Sequence, residues 1–145
     1  MQEALIEAKQ AYHEGEVPVG AVVVCNGDII ARAHNMRETL NDPSAHAEFL
    51  AIQAAAKKLN RWRLHDCDIY VTLEPCTMCA GLMINARVHR CIFGAKDPKA
   101  GALTSLYNLA SDERLNHSFN MISGVLAEES AQLLKDFFKL RRQKA

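Results

Sequence analysis

The chain has 145 residues, of which 49% are hydrophobic and 23% charged, with a formal net charge of zero. That composition fits a single globular domain spanning 1–145 and excludes collagen-like, disulfide-scaffold and intrinsically disordered classes. No apolar run is long enough to span a bilayer, and Met1-Gln2-Glu3-Ala4-Leu5 is not a basic segment leading an apolar one, so a cytoplasmic protein with no membrane partner is expected. The five cysteines are an odd number without a secretory signal, which argues against a disulfide framework. Cys25, Cys67 and Cys91 read as small buried thiols on strands. The first sixty residues carry a net −3 and the remainder +3, with the positive charge densest at Lys135, Lys139, Arg141, Arg142 and Lys144. Such a tail either complements a helix dipole or contacts phosphates.

Residues 2–13 are predicted as a helix with Leu5, Ala8 and Tyr12 on one face, Ile6 beside them and Gly15 as its stop. Val19 to Val24 is a short β-branched run, Asn26-Gly27 a two-residue hairpin turn, and Ile29 to Ala33 the returning strand. After a polar stretch from His34 to Ser44, Asp42-Pro43 resembles a cap with proline at the first helical position, opening a helix to about Leu59. Asp68 to Leu73 is a buried strand, Cys76 to Ala86 a helix opened by Pro75, and Val88 to Gly94 another strand. Ala95 to Ser105 is a loop, Leu106 to Leu115 contains a short helix, and Phe119 to Val125 is a weaker strand. Ala127 to Arg142 is the terminal helix, with Leu133, Leu134, Phe137, Phe138 and Leu140 as its apolar positions and the Phe137-Phe138 pair in the core. The order predicts an α/β domain with a mixed sheet covered by helices. The hairpin strands should be antiparallel, and the strands joined through the helices at 46–59 and 76–86 parallel to their neighbours.

Chemistry concentrates in His46-Ala47-Glu48 and Pro75-Cys76-Thr77-Met78-Cys79. Cys76 and Cys79 stand three apart at a helix start and share a face. One histidine and two thiolates make three protein ligands, the number typical of a catalytic zinc, whereas structural sites close with four. His34 and Cys67 are the nearest candidates for a fourth. All three ligands fall at predicted helix N-termini, where free N–H groups and the positive dipole end lower thiol pKa values. Glu48 is a carboxylate outside the ligand set. On an ideal helix it faces away from a residue two positions earlier, so it approaches the metal only if the metal lies at the helix start.

The His-Ala-Glu and Pro-Cys-x-x-Cys pair resembles the signature of the zinc-dependent cytidine/deoxycytidylate deaminase superfamily. Further stretches resemble its TadA-type tRNA-specific adenosine deaminases: Glu16 to Ala21, Arg32 to Asn35, Trp62 to Leu64, Tyr70 to Cys76, Met78 to Gly81, Phe93 to Ala95, Asn116-His117, Gly124 to Leu126 and the Phe137-Phe138…Arg141-Arg142 tail. They cover nearly the whole chain in order. Thr77, where the family more often has valine, and Phe49, where it has a smaller aliphatic, are departures that touch no ligand.

The resemblance implies a three-layer α/β/α cytidine-deaminase-like fold around a mixed five-stranded sheet. It also implies one Zn²⁺ per subunit and hydrolytic conversion of the wobble adenosine of a tRNA anticodon stem-loop to inosine. His46, Cys76 and Cys79 would be the metal ligands and Glu48 the catalytic proton carrier. Asn35, Ala47, Val17, Pro18, Val19 and Asp97 would contact substrate, Arg141 and Arg142 are candidates for the RNA backbone, and a homodimer is implied. Two rival functions remain open at this level: a deaminase of free guanine or deoxycytidylate type, and a non-catalytic zinc-stabilised partner subunit.

Overall fold

The computed structural model describes residues 1–144, Lys144 by its backbone alone, so that its side chain lies outside the described residues. The first helix, α1 (Gln2–His13), buries Ala4, Leu5, Ala8 and Ala11. Ile6 is on its exposed side. The strands β1 (Gly20–Cys25) and β2 (Asp28–His34) pair antiparallel through Asn26 and Gly27, both at positive φ (52° and 83°), as a tight hairpin turn demands. Gly20 is required where α1 crosses β1: a Cβ there would run into the Ala4 carbonyl and the Ala8 amide, so helix and strand meet backbone to backbone.

The next helix, α2 (Ala47–Leu59), begins later than the Asp42-Pro43 pattern predicts. Asp42 instead makes a local turn, its Oδ1 accepting the Ser44 amide at 2.8 Å and the Ser44 hydroxyl at 2.7 Å. His46 is the true N-cap, with extended backbone (φ −77°, ψ 152°). β3 (Cys67–Leu73) follows, then α3 (Thr77–Ala86) with Cys76 as N-cap, then β4 (Arg90–Ala95). Asn60 and Arg87 close α2 and α3 in left-handed conformation. The helix predicted within Leu106–Leu115 reduces to one 3₁₀ turn, Leu109–Ser111, and the last strand, β5 (Asn120–Ile122), is shorter than predicted.

The sheet order is β2-β1-β3-β4-β5. One expectation is corrected here. β3 is joined to β2 through α2, yet it lies beside β1 and antiparallel to it. The connection steps over β1, so β2 and β3 run the same way while flanking a strand that opposes both. The α3 crossover does give a parallel pair, β3 with β4, and β5 is parallel to β4.

Side chains alternate across the pleat. Ala21, Val23, Ile69, Val71, Cys91 and Phe93 share one core with Ala51 and Ile52 of α2 and with Met83 and Ile84 of α3. Val22 and Ile92 point to the other face, where α1 packs on β1 and β2 and α4 (Ala127–Lys144) packs on β3 and β4. The result is three layers, with α2 and α3 on one side and α1 and α4 on the other. Within α4, Phe137 is buried, its ring edge-on to Tyr12 at 5.9 Å, and Leu134 packs partly buried against the core. Phe138 is 44% exposed, against expectation, because adjacent helical residues point in different directions.

Candidate active site

The three ligand candidates converge because both N-caps are extended rather than helical. The His46 carbonyl accepts the Leu50 amide at 3.0 Å and the Cys76 carbonyl accepts the Ala80 amide at 2.9 Å, so each begins its helix without adopting helical side-chain register. His46 Nδ1 lies 3.7 Å from Cys76 Sγ and 3.6 Å from Cys79 Sγ. All three donor atoms lie within 4.8 Å of one another. Zinc bonds of about 2.0 Å to nitrogen and 2.3 Å to sulfur at a tetrahedral angle put the two donors about 3.5 Å apart, so the residues fit the metal as they stand. Neither candidate fourth ligand joins them. His34 is bound between Glu7 and Glu14 at 2.9 and 3.1 Å, and Cys67 faces Cys25.

The electrostatics agree with the donor set. Hydrogen bonds from Cys79 and His46 hold the Cys76 thiol down at about 3. Cys79 is pushed far up by its bond to Cys76 and by burial. Two thiolates this close together concentrate negative charge in a partly buried site. A divalent cation held there would supply the balance.

Glu48 is the second residue of α2 and only 4% exposed. Because His46 caps the helix instead of lying in it, the two side chains reach one point from different directions, and the spacing conflict disappears. Burial pushes the Glu48 carboxyl up to about 7, against the attraction of His46. A group near neutrality can both take and return a proton at physiological pH.

These groups open into a cavity of about 220 Å³ lined by Val17, Val19, Asn35, His46, Ala47, Glu48, Cys76 and Asp97, and also by Arg37, Leu73, Glu74 and Ala100. Pro18 is fully buried beneath this wall and does not line it. Cys79 is fully buried behind the floor. Asn35 donates from Nδ2 to the Val17 carbonyl and accepts the Arg37 amide at Oδ1, both at 3.2 Å, which joins the two segments of the rim. Asp97 Oδ1 accepts the Lys99 and Ala100 amides at 3.0 and 3.2 Å, a turn of its own making. Arg141 and Arg142 are exposed at the end of α4, and the Arg141 guanidinium sits over the Phe137 ring at 5.4 Å. They are not part of the cavity.

Glu74 is a residue to which the sequence assigned no role. Its carboxylate, 2% exposed, accepts the amides of Asp97 (3.0 Å), Leu103 (3.1 Å), Thr104 (2.8 Å) and Ser105 (3.0 Å), and the Ser105 hydroxyl. Gly101 abuts it where a Cβ would collide with the carboxyl group. Across the cavity Glu16, 1% exposed, accepts the Glu38 amide at 3.1 Å and both the amide and hydroxyl of Thr39 at 2.6 Å. Two buried carboxylates therefore hold the loops that border the cavity.

Comparison with known proteins agrees with this chemistry. The model of the MafB19-like deaminases matches residues 1–142. The tRNA-specific adenosine deaminase of Bacillus subtilis (strain 168) is 54% identical over 144 residues, 99% of this chain and 89% of its own. The chain belongs to the tRNA-specific adenosine deaminase family. A relative of the same description from Aquifex aeolicus (strain VF5) is 48% identical, covering 96% of this deaminase and 91% of its own chain. A solved structure from work on A-to-I editing by tRNA:A34 deaminases at the wobble position of transfer RNA superposes with a TM-score of 0.89 at 46% identity. It covers 92% of this deaminase and 97% of that chain. The three-layer deaminase fold expected from the sequence is therefore shown. The guanine deaminase of Nitrosomonas europaea matches with a TM-score of 0.80 at 22% identity over 94% of this chain and 81% of its own, a likeness of fold alone.

Proposed function

We propose that this deaminase converts the wobble adenosine of a tRNA anticodon loop to inosine, with His46, Cys76 and Cys79 holding one zinc ion and Glu48 moving the protons. The single observation that carries it is the buried Glu48 carboxyl beside the His46–Cys76–Cys79 donor set at the floor of one cavity, in a chain of this family. Zinc held by His46, Cys76 and Cys79 would supply acidity to a water molecule, lowering its pKa towards neutrality. Glu48 takes a proton from that water and delivers it to purine N1, which makes C6 electrophilic. Attack of the water oxygen gives a tetrahedral carbon at C6. Glu48 then takes the proton of the new C6 hydroxyl and passes it to the amine, so that the C6–N bond breaks, ammonia leaves and the C6 carbonyl forms. Water is consumed, and adenosine becomes inosine.

The cavity walls supply the rest. Val17 and Val19 give an apolar flank for a purine, Asn35 a polar edge, and the Ala47 backbone a further contact at the floor. Pro18 supports that flank from beneath. Asp97 lies on the loop where a neighbouring nucleotide would pass. An anticodon loop already presents unpaired bases, so the base enters without breaking a duplex. Arg141 and Arg142 offer exposed positive charge to the RNA backbone. The protein works in the cytoplasm as a homodimer. Among the described residues no helix is long and apolar enough to cross a membrane.

An anticodon stem-loop with a wobble adenosine, assayed beside free adenosine, cytidine and guanine, is expected to be the substrate that turns over. Turnover of free guanine with none of the RNA would move the protein to the free-base class. In Cys79→Ala, metal analysis is expected to show the active-site zinc gone, and undiminished zinc would take Cys79 out of the ligand set.

A further inference from the structure

A second group of metal-type donors lies at the other end of the sheet. Cys25 closes β1 and Cys67 opens β3, and the two are directly opposed in the antiparallel ladder. The Cys67 amide donates to the Leu64 carbonyl at 3.0 Å, and the Cys67 carbonyl accepts the His89 amide at 3.0 Å. Cys25 and Cys67 thus exchange no pair of ladder bonds, which makes them the closely spaced kind of opposed pair, with side chains nearest each other. Asp66 precedes Cys67, and the Cys67 thiol reaches its Oδ1 at 3.6 Å. The two sulfurs and an Asp66 oxygen lie within 4.8 Å of one another. Cys25 is 7% exposed and Cys67 fully buried, whereas Asp66 is exposed. The group therefore has two soft donors inside and a carboxylate at its mouth.

We propose that Cys25, Cys67 and Asp66 form a second metal site, which takes a thiophilic divalent cation of the zinc or cadmium type. Thiolates select such ions over calcium or magnesium. Tetrahedral bonds of about 2.3 Å put two sulfurs on one zinc about 3.8 Å apart, a separation inside the 4.8 Å span of these donor atoms. Charge is balanced as well. Arg61 Nη2 lies 2.6 Å from Asp66 Oδ1, and two thiolates, one carboxylate, one divalent cation and this guanidinium sum to zero. Each thiol gives its proton to solvent as its bond to the metal forms. The position is independent of the cavity, because β3 runs from Cys67 to Leu73 in the cavity wall, and the six strand steps between them span about 20 Å. The bound ion would tie the hairpin end of β1 to the start of β3.

The test is metal content of the full, reduced chain after equilibration with zinc or cadmium and removal of free ion, read without reference to catalysis. The wild type is expected to hold two equivalents. Cys25→Ser and Cys67→Ser should lose one while the equivalent held by His46, Cys76 and Cys79 stays. Asp66→Asn, an exposed change that leaves the core intact, should give up the second ion more readily to a chelator. Cys79→Ala should lose only the first. A wild type that holds one equivalent, all of it lost in Cys79→Ala, overturns the proposal. So does Cys25→Ser with wild-type metal content, or a reduced wild type that binds no second ion while oxidation links Cys25 to Cys67.

Discussion

Glu48→Gln is expected to keep its zinc and to lose inosine formation by about 10³-fold or more. Glutamine matches glutamate in size and preserves the packing at the start of α2, where position 48 is 4% exposed. It cannot take a proton from water or hand one to N1. In the proposed reaction the proton transfers pass through this carboxylate, so a single substitution would remove them together. Metal analysis beside a single-turnover assay on the RNA stem-loop separates the chemistry from ligation. Activity within an order of magnitude of wild type would show that another group carries the protons.

Glu74→Ala is expected to destabilise the fold by about 3–5 kcal/mol and to depress turnover through the loop it holds. Four amides and a hydroxyl converge on this carboxylate. Removing it leaves those donors buried without an acceptor. The effect has a defined pH dependence. Burial pushes the Glu74 carboxyl up, but the hydrogen bonds from Ser105, Thr104 and Asp97 outweigh it and hold the group at about 2, below its ordinary 4.5. A depressed carboxylate stabilises the fold fully above its unfolded value and loses that contribution as pH falls towards its folded value. The shift corresponds to about 3 kcal/mol. Denaturant midpoints of wild type and variant should therefore converge as pH drops from about 5 to 2, and a gap that is constant over that range would rule out the charged cage.

The candidate donor set and Glu48 could be picked out of the sequence because ligand chemistry restricts residue type and spacing strongly. Their geometry could not. Asp42-Pro43 carries a helix-start pattern, yet Asp42 satisfies itself on Ser44, and the helix waits for His46. That shift of a few residues is what allows His46 and Glu48 to serve one site. The place of β3 was hidden for a different reason. A helical crossover fixes the relative direction of two strands but not how many strands lie between them. Glu74 stood in plain view before Pro75, but its partners lie 23 to 31 residues further on, and no local pattern encodes them. Arg37 and Ala100 reach the cavity through the same loops.

The way these loops are held bears on how the cavity can change over evolutionary time. Glu16 and Glu74 grip almost entirely main-chain amides, those of Glu38 and Thr39 on one side and of Asp97, Leu103, Thr104 and Ser105 on the other. An amide is present whichever residue occupies the position, proline excepted. Rim side chains that make no such bonds, those of Arg37 and Ala100, can therefore be exchanged without altering the path of the chain. Loop shape and loop chemistry are inherited separately, and a new substrate preference can arise on an unchanged rim.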